Sequence, residues 1–175
     1  MSNTKEVQAY RVASGIIIQE QQLLLVQNKR RNGSLDWSTP GGVVDPGEEV
    51  LEALQREVIE ETEVVVDGWS PLVYSVDVDF VGRDMTLNAQ VFLALGYSGE
   101  LHVDDPDNVV VAGRWAGLGE TQQLLGTSPA WVAEPLGHHL PSILDGEPLV
   151  DATQWKYRVT GTGRDYHTER VQPGE

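Results

Sequence analysis

Residues 48–61 hold no glycine or proline and set Leu51, Leu54 and Val58 at helical spacing, directly after the turn-forming Asp45-Pro46-Gly47. This predicts an amphipathic helix of about four turns. The segments around it are short, apolar and strand-like. Residues 12–18 and 23–27 are rich in Ile, Val and Leu, and the polar residues 19–22 between them predict a hairpin. Residues 28–42 predict a loop, because the basic cluster Lys29-Arg30-Arg31 and an Asn32-Gly33 turn precede Trp37-Ser38-Thr39-Pro40-Gly41-Gly42. The proline and paired glycines there demand irregular backbone that can come close to a ligand. Further strands are predicted over residues 72–81, 86–96 and 109–115, broken by Gly82-Arg83-Asp84 and by Asp104-Asp105-Pro106-Asp107. A second helix is expected around residues 131–144, open to a split at Pro135 or Pro141, and a short strand over residues 155–160. The polar end from Gly161 reads as disordered. Strands on either side of a helix define an α/β chain with a mixed sheet covered by helices.

At 175 residues, with 40% hydrophobic and 22% charged, the chain fits one core of ordinary size. The expected organisation is a domain over residues 1–150, with residues 151–175 as a strand and polar tail, either part of the same domain or partly disordered. No run approaches the roughly 18 apolar residues of a membrane span, and Met1 to Tyr10 lack the blocks of a signal peptide, so the expectation is cytoplasmic. With no cysteine, disulfides, thiolate metal sites and cysteine nucleophiles are excluded, and any metal must sit on oxygen or imidazole. Asn32-Gly33-Ser34 is a chance sequon in a turn. The net charge of −15 repels a long polyanion, which weighs against nucleic acid. A small phosphorylated ligand remains compatible, because a bound divalent cation inverts the local field.

On the predicted helix, Glu57, Glu60 and Glu61 stand at i, i+3 and i+4 and crowd one face. Like charges at this spacing repel, so the arrangement wants a counterion, and hard oxygen ligands favour Mg²⁺ or Mn²⁺. Magnesium held by carboxylates points to phosphate chemistry. The alternative is a solvated acidic face, with Glu52, Arg56 and Glu60 as an i, i+4, i+8 ladder. What favours the first reading is the wider pattern: Gly42, Glu48, Arg56, Glu57, Glu60 and Glu61 follow G-x5-E-x7-R-E-x2-E-E.

That spacing resembles the signature of the Nudix hydrolase family, here over residues 42–64. The hairpin before the loop and the Trp-x-x-Pro-Gly-Gly lead-in extend the resemblance over residues 10–120. It implies an α/β/α sandwich and a MutT-like, metal-dependent hydrolase that cleaves the pyrophosphate linkage of a nucleoside diphosphate derivative. It also implies that Glu57, Glu60 and Glu61 bind metal with the carbonyl of Gly41, and that Glu48 and Arg56 pair to brace the loop. Either Glu57 or a downstream acid would take a proton, with Asp107 the first choice downstream. One departure stands out: Glu63 occupies the place of a family glycine that ends the helix in a left-handed conformation.

Lys29, Arg30, Arg31 and Arg83 are candidates to steady distal phosphates, against the plainer reading of solubilising surface charge. Trp37, beside the loop, is the tryptophan best placed to stack a base, with core packing as its alternative. His138 and His139 have no third ligand at zinc-like spacing and read as a surface helix end. The segment after residue 125 either lines the pocket or forms a homodimer interface. The rival to an enzyme is a non-catalytic nucleotide-binding module of the same fold, or a pyrophosphatase for nucleotide sugars or dinucleotides. A calcium site at residues 104–107 lacks the loop glycine and distant glutamate it needs.

Overall fold

The structure, a computed structural model, describes residues 6–162 and 165–172. Three consecutive leucines explain its layering. Leu23, Leu24 and Leu25 are all fully buried, yet Leu23 and Leu25 enter one hydrophobic core and Leu24 the other. Alternate side chains of a strand point to opposite faces, so a strand apolar on both faces must be covered on both.

The chain runs through β1 (Gln8–Ile16), β2 (Ile18–Gln19), β3 (Gln22–Lys29), β4 (Leu35–Ser38) and β5 (Gly41–Val43) before helix α1 (Val50–Thr62). Then follow β6 (Val65–Phe80), β7 (Met85–Ser98), β8 (Val110–Ala116), α2 (Leu118–Leu125), α3 (Ala130–Leu144), β9 (Thr153–Thr162) and β10 (Asp165–Arg170). One sheet has the order β10-β9-β6-β7-β1-β5, with β1 parallel to β7 and β6 parallel to β9. In the second sheet β3 pairs with β8 and with β2 and β4, all antiparallel. Helix α1 lays Ala53, Leu54 and Val58 into one core with Ala13, Ile17 and Leu24. Helix α3 lays Leu136, Leu140 and Leu144 into the other with Tyr74, Val76 and Trp155. The α/β class and mixed sheet expected from sequence are borne out.

Several local expectations are corrected. The hairpin is narrower than predicted: Ile18–Gln19 turns back onto β3 through Glu20 and Gln21, both at positive φ, while β1 joins the other sheet. The predicted loop 28–42 contains β4, whose pairing with β3 supplies the regularity that its short sequence does not advertise. Helix α2 was not predicted, because its eight residues contain Gly119 and are bounded closely by Gly117 and Gly126, which together read as a loop. Helix α3 is not split; Pro135 is itself buried, and packing against the sheet outweighs the lost backbone hydrogen bonds. The tail expected to be disordered forms β10, antiparallel to β9, up to Arg170; residues 173–175 lie outside the described residues. No described helix is long and apolar enough to cross a membrane.

Candidate active site

Helix α1 begins without a side-chain cap, and its entry is fixed by the loop instead. Glu48 accepts the Asp45 amide at 3.1 Å and receives Arg56 as a fork, Nε to Oε1 and Nη2 to Oε2, each at 3.0 Å. Arg56 also donates from Nη2 to the Val43 carbonyl at 3.3 Å, so one guanidinium ties the loop to the helix. Hydrogen bonding from Arg56 holds the Glu48 carboxyl below its ordinary range, and Glu48 in return raises Arg56. The brace expected of this pair is present in the structure.

The far end of the helix settles the question raised by residue 63. Glu63 takes the left-handed conformation itself, at φ 59° and ψ 4°, and its amide donates to the Ile59 carbonyl at 2.9 Å. Thr62, fully buried, donates its hydroxyl to the Val58 carbonyl and accepts the Val64 amide. The last turn is thus held without a glycine.

Between these two ends stand the three carboxylates. Glu57 accepts from Arg56 Nη1 at 2.7 Å, and the same nitrogen reaches Glu60 at 3.4 Å. Glu61 is buried and accepts the Gly41 amide at 3.0 Å. The glycines explain how the loop approaches so closely. A Cβ on Gly42 would lie 2.3 Å from the Glu57 carboxyl carbon, and one on Gly41, at φ 150°, 2.1 Å from the Ala13 carbonyl oxygen. Burial pushes the Glu57 carboxyl up against the opposing pull of Arg56. Burial also pushes Glu61 up to about 8, aided by the charges of Glu57, Asp105 and Glu60.

As they stand, no three acidic or imidazole groups among the described residues converge tightly enough to grip an ion. Arg56 and the Gly41 amide occupy the oxygens instead. The donor set nevertheless fits a hard divalent cation: every donor is oxygen, and Glu61 is a buried acid among like charges that a cation would let ionise. Glu60, nearly half exposed, is free to turn towards such an ion.

All three carboxylates line a cleft of about 740 Å³ whose walls come from both sheets, with Pro129, Trp131 and Leu136 also lining it. The segment after residue 125 therefore lines the pocket. Of the other sequence candidates, Arg30, Arg83 and Asp107 line the cleft as well. Arg30 is spent on Asp36, and Arg83 stacks over Phe80 at 5.7 Å. Lys29 and Arg31 are exposed and do not line it. Trp37 is corrected: its side chain packs in the core with α3, and Trp131 and Tyr166 are partly exposed aromatics of the cleft. Asp105, not Asp107, is the downstream acid whose charge bears on Glu61; it is held by amides of Asp107, Val109 and Val110. His139 is likewise no surface group, since it stacks on Tyr74 at 4.8 Å.

The site is thus a carboxylate-bearing helix braced against a glycine loop over a cleft of an α/β domain. The NUDIX domain family matches residues 9–135, and the chain belongs to that family. It is 31% identical over 85 residues to an oxidized purine nucleoside triphosphate hydrolase of Danio rerio, covering 49% of this chain and 54% of the relative. Over 47 residues it is 51% identical to a putative 8-oxo-dGTP diphosphatase of Bacillus subtilis, covering 27% of this chain and 30% of the relative. The chain thus spans about half, or less, of the length of these curated relatives. Among solved structures, a MutT Nudix hydrolase from Burkholderia pseudomallei superposes with a TM-score of 0.58 at 28% identity, over 70% of this chain and 99% of that one. The mutator MutT protein of Bacillus halodurans gives 0.63 at 22% identity, over 91% and 97%, a likeness of fold.

Proposed function

We propose that this chain is a divalent-metal-dependent hydrolase that cleaves the pyrophosphate linkage of a nucleoside triphosphate, with oxidised purine nucleotides as the favoured class. The observation that carries the reading is that Glu57, Glu60 and Glu61, on one helix face, all line the cleft, with Glu61 bonded to the Gly41 amide. The names of the two curated relatives support the substrate class.

Glu57, Glu60 and Glu61 would hold the ion, with the Gly41 carbonyl as a further donor by resemblance. Oxygen-only donors favour magnesium, with manganese as a substitute. Bound there, it would neutralise the diphosphate oxygens and lower the pKa of an attacking water. Arg56 keeps the loop seated on the helix through Glu48, so the carboxylates face the cleft at a fixed depth. As the water oxygen attacks phosphorus and the anhydride P–O bond breaks, the water's proton passes to a carboxylate. We take Glu57, half-buried, or Asp105, whose charge bears on Glu61, as the acid that receives it. The products are two phosphorylated fragments. We take the strands after residue 150 as part of the same catalytic domain, since β9 pairs with β6. The cytoplasm is the compartment this reading calls for, with a homodimer as a compatible assembly.

The test is phosphate release, after coupled phosphatase treatment, from 8-oxo-dGTP, ordinary nucleoside triphosphates, nucleotide sugars and dinucleotides, with and without Mg²⁺. Metal-dependent turnover of the oxidised triphosphate, lost in Glu61→Gln, is the expected result. Silence across the panel from folded protein would leave a binding module of the same fold.

A further inference from the structure

Asn28 and Asp36 form a pair that the mechanism above does not use. Both line the cleft, each is only 7% exposed, and they face one another across the β3–β4 ladder. A carboxylate cannot donate, so the Asn28 amide must turn its NH₂ towards Asp36. Its Nδ2 donates to Asp36 Oδ1 at 3.2 Å and to Ser38 Oγ at 2.9 Å. Asp36 is itself held, because Arg30 grips it as a fork, Nε to Oδ2 at 2.5 Å and Nη2 to Oδ1 at 2.7 Å. The amide orientation is therefore dictated by its charged neighbour.

What remains is Asn28 Oδ1, which takes no donor from the described residues. Among those residues no fully buried side-chain oxygen or nitrogen lacks a partner, so this oxygen opens on the cleft. The backbone is shaped for it as well. The β3–β8 ladder shifts between Gln27, opposite Ala112, and Asn28, opposite Val110, a bulge of the kind that re-aims a side chain beside a site.

We propose that Asn28 is a specificity-determining residue whose locked carboxamide offers the nucleobase an acceptor only, selecting a base that presents an N–H at that edge. This rests on the nucleotide reading above. Oxidation of a purine at C8 makes just such an exchange at N7, where a lone pair becomes an N–H beside the new carbonyl. An ordinary purine sets its lone pair against Oδ1 and leaves a buried group unpaired, which is the strongest form of rejection a polar pocket has. Arg30, a phosphate candidate by sequence, is then a positioning residue acting through Asp36.

Calorimetric binding of 8-oxo-dGMP and dGMP to the full chain needs no hydrolysis, so it reads this inference separately from turnover. The wild type should bind 8-oxo-dGMP about tenfold or more tightly, a preference equal to one hydrogen bond kept against one lost. Asn28→Ala should bring the two ligands to within about twofold. Asp36→Asn, which leaves Asn28 in place but frees its amide to turn, should narrow the preference too, and serves if Asn28→Ala does not fold. Arg30→Lys, which keeps a charge on Asp36, should retain most of it. Equal binding of the two ligands by the wild type, or a preference unchanged in Asn28→Ala or Asp36→Asn, overturns the assignment.

Discussion

Replacing Glu63 with glycine should stabilise the protein, although it deletes a contact with His102. Glu63 is held at φ 59°, where its Cβ crowds the backbone at a cost of about 1–2 kcal/mol that glycine does not incur. Two terms oppose the gain. Glycine gives the unfolded chain more freedom, about 0.4–1 kcal/mol. The carboxylate also meets His102 Nδ1 at 3.3 Å, but both side chains are more than half exposed, so the contact stabilises by about 0.5 kcal/mol or less. The balance is a gain on the order of 0.5 kcal/mol, or about 1–2 °C in Tm for a domain of this size. Glu63→Ala separates the terms, since it loses the His102 contact while keeping the left-handed strain, and it should be no more stable than the wild type. Urea unfolding of the three proteins, followed by far-UV circular dichroism, measures the order Gly, then wild type, then Ala. A glycine variant less stable than the alanine variant would refute the reasoning. Turnover should be unchanged, because Glu60 and Glu61 precede the residue that changes.

Gly42→Ala should fold nearly normally and lose about a hundredfold or more in kcat/KM, because the new methyl displaces the Glu57 carboxylate and little else. Gly41→Ala should instead lose stability by several kcal/mol in a thermal melt, on the order of a severe backbone clash, since its methyl meets the Ala13 carbonyl. In chelated, metal-free protein the raised Glu61 carboxyl favours its neutral form. The stability it contributes is complete below its unfolded value of 4.5 and is lost as the pH rises through about 8. Melts from pH 5 to 9 should therefore show a decline on the order of a few kcal/mol that Glu61→Gln flattens and added Mg²⁺ reverses. A Gln variant with the wild-type slope would assign the decline to other groups.

Helix α1 was legible because everything that makes it is local. A turn, fourteen residues without glycine or proline, and apolar positions at helical spacing name the element, and the carboxylate spacing follows from the same period. Even its one irregularity, Glu63, lies where the sequence pattern places a left-handed residue. β10 was not legible, since Asp165–Arg170 has no fully buried position and so no alternation to read; its order comes from pairing with β9. Asp105 was passed over for Asp107 because two aspartates flank one proline, and only the fold turns the first towards Glu61.

The four residues of β4 show why the cleft itself could not be read. Leu35-Asp36-Trp37-Ser38 sits in a basic, turn-rich stretch, and the sequence invites the aromatic into the site. Pairing with β3 reverses this: Trp37 enters the core, while Asp36 and Ser38 line the cleft and hold Asn28. Strand parity alone decides the matter, since a slip of one residue in this short ladder would exchange the two faces. That register is fixed from outside β4. The Arg30–Asp36 fork anchors one end, and Ser128 the other, donating its hydroxyl to the Trp37 carbonyl and accepting the Trp37 amide. The polar wall of the cleft thus depends on a contact 91 residues away in sequence, beyond the reach of any local pattern.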